Sequence, residues 1–181
     1  MTCIVALETQ RGVWMGSDRM GSNGYTGHIA EAPKTFTNGP LLIGYTTSFR
    51  MGQVLQYGLD VPEESLSWDI DRWMAMDLVP AIRTAFAEHG WDHVESGVAE
   101  GGTFLVAVRG RCYEMQEDYS FTHNIAGEYA CGSGEDYALG SLHTSRDWKK
   151  PRDRILAALE AAAEHVVSVA GPFDIVRQAR E

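Results

Sequence analysis

Thr2 is the first residue whose type and position could do chemistry. Thr is small, so Met1 is expected to be removed in cells, which leaves Thr2 with a free α-amine. A Thr hydroxyl is a poor nucleophile without a base. An α-amine has an unperturbed pKa of about 7.7–8.0, close enough to neutrality to be that base. One residue then supplies nucleophile and base together, the N-terminal threonine form of triad logic. A cation beside it would lower the amine's pKa further and keep it neutral. With Met1 retained, the nitrogen is an amide and Thr2 is a strand-starting residue without a base.

Two charged residues stand at the ends of strand-like runs. Asp18 follows one in Gly16-Ser17-Asp18-Arg19, and Lys34 opens another in Ala32-Pro33-Lys34-Thr35-Phe36. Taken singly, each reads as surface charge. Several other patterns carry no chemistry. His89 and His93 are four apart, but Gly90-Trp91-Asp92 lie between them, not a Glu-bearing helix, so they do not read as a zinc pair. Gly132-Ser133-Gly134 lacks the glycines two residues either side of Ser that a nucleophile elbow needs. Tyr137 stands where a dinucleotide loop needs its third Gly, so the segment reads as a tight turn. Trp73, Met74 and Leu78 read as core, and Glu63, Glu64, Asp69 and Asp71 as a solvated face. No residue group calls for a metal or another cofactor.

The elements that must position these residues follow from hydrophobic period. Cys3 to Leu7 is a continuous apolar run, a buried strand, and Val13 to Ser17 is a second, joined by the Arg11-Gly12 turn. Arg19 to Ala32 is Gly-rich and polar, a loop with room for a short strand pair. Lys34 to Thr37 and Leu41 to Thr46 are strands around Asn38-Gly39-Pro40. Helical spacing follows in Ser48 to Leu59, with Phe49, Val54, Leu55 and Leu59 on one stripe. After a linker at Pro62 to Ser67 it resumes from Trp68 to His89, where Pro80 is expected to kink the helix. His89 to Gly101 reads as loop. Strands return at Thr103 to Val108, Cys112 to Gln116, Tyr119 to Thr122 and Glu128 to Cys131. Glu135 to His143 is a third helix, and Pro151 sits in the first turn of a fourth. Gly171-Pro172 ends it, before a last strand at Phe173 to Val176.

Blocks of strands alternating with pairs of helices predict an α+β fold. The expected form is a four-layer αββα sandwich, two antiparallel sheets with helix pairs outside, because the strands are apolar on both faces. The 181 residues read as one domain over 1–181, long enough to bury a core without disulfides. A net charge of −10 argues against nucleic acid or an anionic membrane as partner. The three cysteines, Cys3, Cys112 and Cys131, form no CxxC pair and read as small buried hydrophobes in a reducing compartment. No targeting segment or apolar span is visible, so a soluble cytoplasmic protein is expected.

Taken together, Thr2, Asp18 and Lys34 stand at the same two intervals as the catalytic Thr, Asp and Lys of proteasome β-subunits and the related HslV peptidases. The surrounding segments resemble that family too: Thr2-Cys3-Ile4-Val5-Ala6 its opening strand, Leu41-Leu42-Ile43-Gly44-Tyr45 the strand before its first helix. Cys131-Gly132-Ser133-Gly134 with Ala138-Leu139-Gly140 resembles its Gly-Ser-Gly segment and following helix, and Gly171 to Val176 its last strand. The resemblance runs from Thr2 to about Gln178. It implies the proteasome-type N-terminal-nucleophile hydrolase fold and a threonine endopeptidase acting on polypeptide. It also implies a homo-oligomeric ring and an ATPase or activator partner.

Carried over, Thr2 is the nucleophile, Lys34 the positive field beside it, Asp18 the group that holds Lys34, and Ser133 a relay near the terminal amine. A backbone N–H near Thr47 or Ser48 would bind the oxyanion, with Ser22 and Thr47 to Arg50 lining the groove. Two departures are visible. The family often has glycines where Thr46-Thr47-Ser48 stand, which implies a narrower or reshaped groove. Its Asp and Ser before the last strand are replaced by Glu164-His165-Val166-Val167-Ser168, leaving Ser168 or His165 as substitutes. Two other readings stay open: a silent, ring-forming subunit that keeps Met1, and an N-terminal-nucleophile amidase acting on a small amide. Catalysis by the implied set requires the side chains of residues 2 and 34 to lie within about 6 Å.

Overall fold

The computed structural model describes residues 2–63, 69–91, 93–95 and 98–180, with backbone alone for 93–95 and 98–100. Met1, Glu64, the Ser65–Ser67 end of the expected linker and Trp68, the first residue of the expected second helix, lie outside the described residues, as does the His93 side chain.

In chain order the elements are β1 (Ile4–Thr9), β2 (Gly12–Ser17), β3 (Met20–Ser22), β4 (Gly27–Ile29), β5 (Thr35–Asn38), β6 (Leu41–Tyr45) and α1 (Phe49–Tyr57). Then come α2 (Ile70–Trp73), a π-helical segment (Met74–Leu78), α3 (Val79–Glu88), β7 (His93–Glu95), β8 (Val98–Glu100), β9 (Phe104–Val108) and β10 (Arg111–Met115). The chain closes with β11 (Phe121–Thr122), β12 (Glu128–Cys131), α4 (Glu135–Thr144), α5 (Pro151–His165) and β13 (Asp174–Ala179).

Two antiparallel sheets carry the molecule, one ordered β12-β1-β2-β13 and the other β11-β10-β9-β6-β5. Strand alternation divides the apolar residues among three layers of core. In β1, Ile4 and Ala6 point between the sheets, where they meet Met15, Leu42, Leu105 and Ala107. Their neighbours Val5 and Leu7 point outward and pack, with Cys3, under α4 and α5 against Ala138, Ile155 and Leu159. In β6 the same rule sends Leu41, Ile43 and Tyr45 outward against Met51, Trp73 and Phe86 of the other helix group. Both sheets are therefore covered on both faces, which is why their strands read as unbroken apolar runs. The architecture is the expected α+β αββα sandwich.

Four details differ from the sequence reading. The Trp68–His89 helix is divided, with Pro80 in the first turn of α3 directly after the π-helical segment, so its missing N–H falls where the hydrogen-bond register already changes. The expected His89–Gly101 loop contains the β7–β8 hairpin. Tyr119 has φ +66° and donates its N–H to the Gln116 carbonyl, a turn that shortens the expected 119–122 strand to Phe121–Thr122. The last strand extends to Ala179, because Arg177, Gln178 and Ala179 pair with β2 through backbone that needs no apolar side chain.

Candidate active site

The β1–β2 register sets Ile4 opposite Ser17, which brings the residues before β1 beside those after β2. The Asp18 N–H donates to the Cys3 carbonyl, and Asp18 Oδ1 accepts the Cys3 N–H at 3.0 Å. Asp18 Oδ2 accepts the Met20 N–H at 2.8 Å. Two backbone donors thus fix a carboxylate that is wholly buried. A buried charge of this kind needs a partner, and Lys34, just ahead of β5, supplies it. Lys34 Nζ donates to both Asp18 oxygens at 3.0 Å, to the Met20 carbonyl at 2.7 Å and to Thr2 Oγ1 at 2.8 Å. The ammonium is 2% exposed and its protons are all engaged. Burial lowers the Lys34 pKa from the ordinary lysine value, against the opposing pull of Asp18.

Ser133 arrives from the other side. Ile4 pairs with Cys131 of β12, so the turn after β12 passes the start of β1. Gly132 has φ +95°, and a Cβ there would lie 2.3 Å from the Thr2 carbonyl oxygen, so the close approach requires glycine. Ser133 Oγ accepts from the Thr2 nitrogen at 3.2 Å and donates to the Thr2 carbonyl at 3.3 Å, and the Gly134 N–H donates to the same carbonyl. Ser168, 1% exposed, contacts Ser133 Oγ through its hydroxyl at 3.1 Å. Gly132→Ala is expected to cost about 3 kcal/mol of stability, from strain and displacement of residue 2. Urea unfolding would measure it; an unchanged midpoint would refute the close-packed turn.

A cleft of about 260 Å³ opens over Thr2 and Lys34. One wall is Met20, Gly21 and Ser22; the other is the stretch from Tyr45 to Phe49. Thr47 has φ +57°, a left-handed conformation that costs a β-branched residue about 1–3 kcal/mol. It is held by the Ser48 N–H on the Thr46 carbonyl, the Thr46 hydroxyl on the Thr103 carbonyl and the Thr103 N–H on the Thr47 hydroxyl. This is where the sequence departs from the glycines of the family it resembles. The Ser48 N–H is spent in that turn, while the Thr47 N–H has no acceptor among the described residues.

The structure therefore brings together Thr2, Asp18, Lys34, Ser133 and Ser168, and it puts Ser22, Thr47 and Ser48 on the cleft. Arg50 is not on it. Its guanidinium donates to the His89 carbonyl and lines a separate cleft with Tyr57 and His89. His165 is exposed and stacks on Tyr137 with ring centres 4.8 Å apart, so of the two substitutes Ser168 alone joins the network. One participant, and the side-chain role of a second that the Thr47–Arg50 stretch already included, escape the sequence reading. The Met20 carbonyl is a backbone acceptor and leaves no trace in side-chain pattern. Phe49 fits the α1 apolar stripe by spacing, yet it is 38% exposed at the cleft mouth. Among the described residues no cluster of His, Cys, Asp and Glu could hold a metal ion, and no helix is long and apolar enough to cross a membrane.

No family model matches the sequence, and no curated protein matches it. Solved structures do resemble the fold. BPH from Thiobacillus denitrificans, in complex with epoxomicin, superposes with a TM-score of 0.82 at 16% identity over 99% of each chain. Eukaryotic HslV from Trypanosoma brucei gives 0.70 at 17% identity, covering 97% of this chain and 98% of its own. Anbu from Pseudomonas aeruginosa, seen as a helical assembly, gives 0.67 at 17% identity over 99% of this chain and 82% of its own. At such identities the likeness speaks to architecture. With the two sheets, their order and their helix pairs in place, this chain has the proteasome-type N-terminal-nucleophile hydrolase fold.

Proposed function

We propose that this protein is an N-terminal-threonine hydrolase that cleaves peptide bonds, working in the cytoplasm as a homo-oligomer. The observation that carries the reading is the buried Lys34 ammonium, 2.8 Å from Thr2 Oγ1 and clamped by Asp18. A surface lysine would not be sunk between a carboxylate and a hydroxyl, because the desolvation is costly without a task for the charge.

Removal of Met1 turns the Thr2 nitrogen into the α-amine. The hydroxyl proton passes to that amine, directly or through one water, while Oγ1 bonds to the carbonyl carbon of the substrate. The carbonyl oxygen takes the negative charge, and the Thr47 N–H is the open donor on the cleft wall that would receive it. The α-ammonium so formed at residue 2 then protonates the leaving amine as the C–N bond breaks, which leaves an ester on Thr2. Water attacks that ester, giving its proton to the α-amine. The acid product leaves and Oγ1 recovers its proton. Lys34 carries positive charge beside Oγ1 throughout and favours a neutral amine. Ser133 orients the nitrogen, with Ser168 behind it.

This assignment fixes the pH dependence. Below the amine's pKa the base is protonated, so kcat/KM falls with falling pH. Above the Lys34 pKa the cation is lost, so kcat/KM falls again, and burial puts that limb below the 10.5 of an ordinary lysine. Hydrolysis of a fluorogenic peptide across pH gives the profile. A rate still rising at pH 10.5 would refute the role of Lys34. Helical assembly in Anbu supports the oligomer, which light scattering tests; a stable monomer would remove that part of the reading.

A further inference from the structure

Resting on the hydrolase reading, we infer that the Arg19–Asp174 ion pair is a positioning unit for the active site, holding the Lys34 side and the Ser133 side of Thr2 in one frame. Arg19 sits between the two residues that hold the ammonium. Asp18 before it supplies the carboxylate, and Met20 after it supplies the carbonyl. The path of the chain at residue 19 therefore sets where Lys34 Nζ finds its acceptors. That chain leads into the β3–β4 hairpin, which pairs with neither main sheet. The root of the hairpin needs an anchor other than strand pairing.

Arg19 provides that anchor. Its N–H donates to the Ala170 carbonyl at 3.2 Å, and its own carbonyl accepts from the Ala30 N–H at 2.9 Å. Its guanidinium donates twice to Asp174, from Nε to Oδ2 and from Nη2 to Oδ1, each at 2.7 Å, and from Nη1 to the Glu31 carbonyl. Such a two-pronged contact fixes orientation as well as distance. Asp174 begins β13 opposite Ser17, so the fork closes on the sheet whose β1 strand follows Thr2. Ala170 lies two residues past Ser168, whose hydroxyl meets Ser133 Oγ at 3.1 Å. Ser133 Oγ in turn accepts from the Thr2 nitrogen at 3.2 Å. Arg19 thus braces the segment behind the Thr2 hydroxyl and the segment behind the Thr2 nitrogen. Neither Arg19 nor Asp174 lines the cleft, so both act through other residues. With side chains 26% and 21% exposed, the pair adds little to stability, and its use is geometric.

The test measures peptide turnover per active site, with sites counted by epoxyketone labelling to completion, well below the unfolding temperature. Arg19→Met and Asp174→Asn are each expected to lower kcat per labelled site by about tenfold. The double variant is expected to lose about the same tenfold, because either change alone opens the fork. Arg19→Lys keeps the charge and one bond, so it is expected to lose only about threefold. A merely structural pair would lower the unfolding temperature and leave kcat per labelled site unchanged in both single variants. That result overturns the inference while leaving the hydrolase reading intact. A double variant slowed about a hundredfold, the product of two independent effects, overturns it too. Wild-type protein that neither cleaves peptide nor takes the label overturns the hydrolase reading, and this inference with it.

Discussion

Thr2→Ala is expected to lower peptide hydrolysis by at least about a thousandfold and to abolish covalent capture by electrophiles, with the fold kept. The hydroxyl is the atom that forms the ester, and no other residue on the cleft joins a hydroxyl to a nitrogen that becomes a free amine. The same substitution withdraws the acceptor that Lys34 Nζ reaches at 2.8 Å. It removes one of four acceptors around three N–H protons, so the cost in stability is expected to be only about 1 kcal/mol. Thr2→Ser keeps both the acceptor and the nucleophile, so it is expected to retain stability and measurable hydrolysis. Thermal unfolding and peptide turnover on the same preparations separate the two effects. Wild-type turnover by Thr2→Ala would show that the hydrolysis does not pass through residue 2.

Lys34→Met is expected to be the most damaging single change, in activity and stability alike. It strips the buried Asp18 carboxylate of its counter-ion, and breaking a buried pair costs about 3–5 kcal/mol. It also removes the positive charge beside Oγ1, for an expected loss of about a thousandfold in kcat/KM. The double variant Asp18→Asn with Lys34→Met distinguishes these consequences. With both charges gone, much of the stability is expected to return, because no unpaired ion remains in the core. Activity is expected to stay lost. Recovery of hydrolysis in the double variant would mean that Lys34 serves only to neutralise Asp18.

Much of this arrangement was legible before any coordinates. The apolar runs of β1 and β6 mark strands covered on both faces, and each strand lies between two of the sandwich's three layers of core. Asp18 gains meaning by its spacing from Thr2, because the β1–β2 register converts that spacing into proximity, whereas Lys34, ahead of β5 in the other sheet, is marked by the family resemblance alone. Other features write nothing into a side-chain pattern. The Met20 carbonyl acts through backbone, and the β7–β8 hairpin lies in a segment without apolar alternation. Phe49 obeys the helical period that marks a core position, yet it begins α1, at the edge of the cleft. His165 ends α5 and Ser168 lies three residues beyond it. Only the turn after α5 decides which of them faces Ser133.

The central claim is that one residue provides both the hydroxyl and the amine. An epoxyketone has two electrophilic carbons, so it reports both groups at once. Tandem mass spectrometry of the labelled protein is expected to find a chain lacking Met1, carrying one probe, with the probe bonded through residue 2 at both Oγ1 and nitrogen. A chain that keeps Met1 and takes no probe, or a probe found on a cysteine, would contradict it.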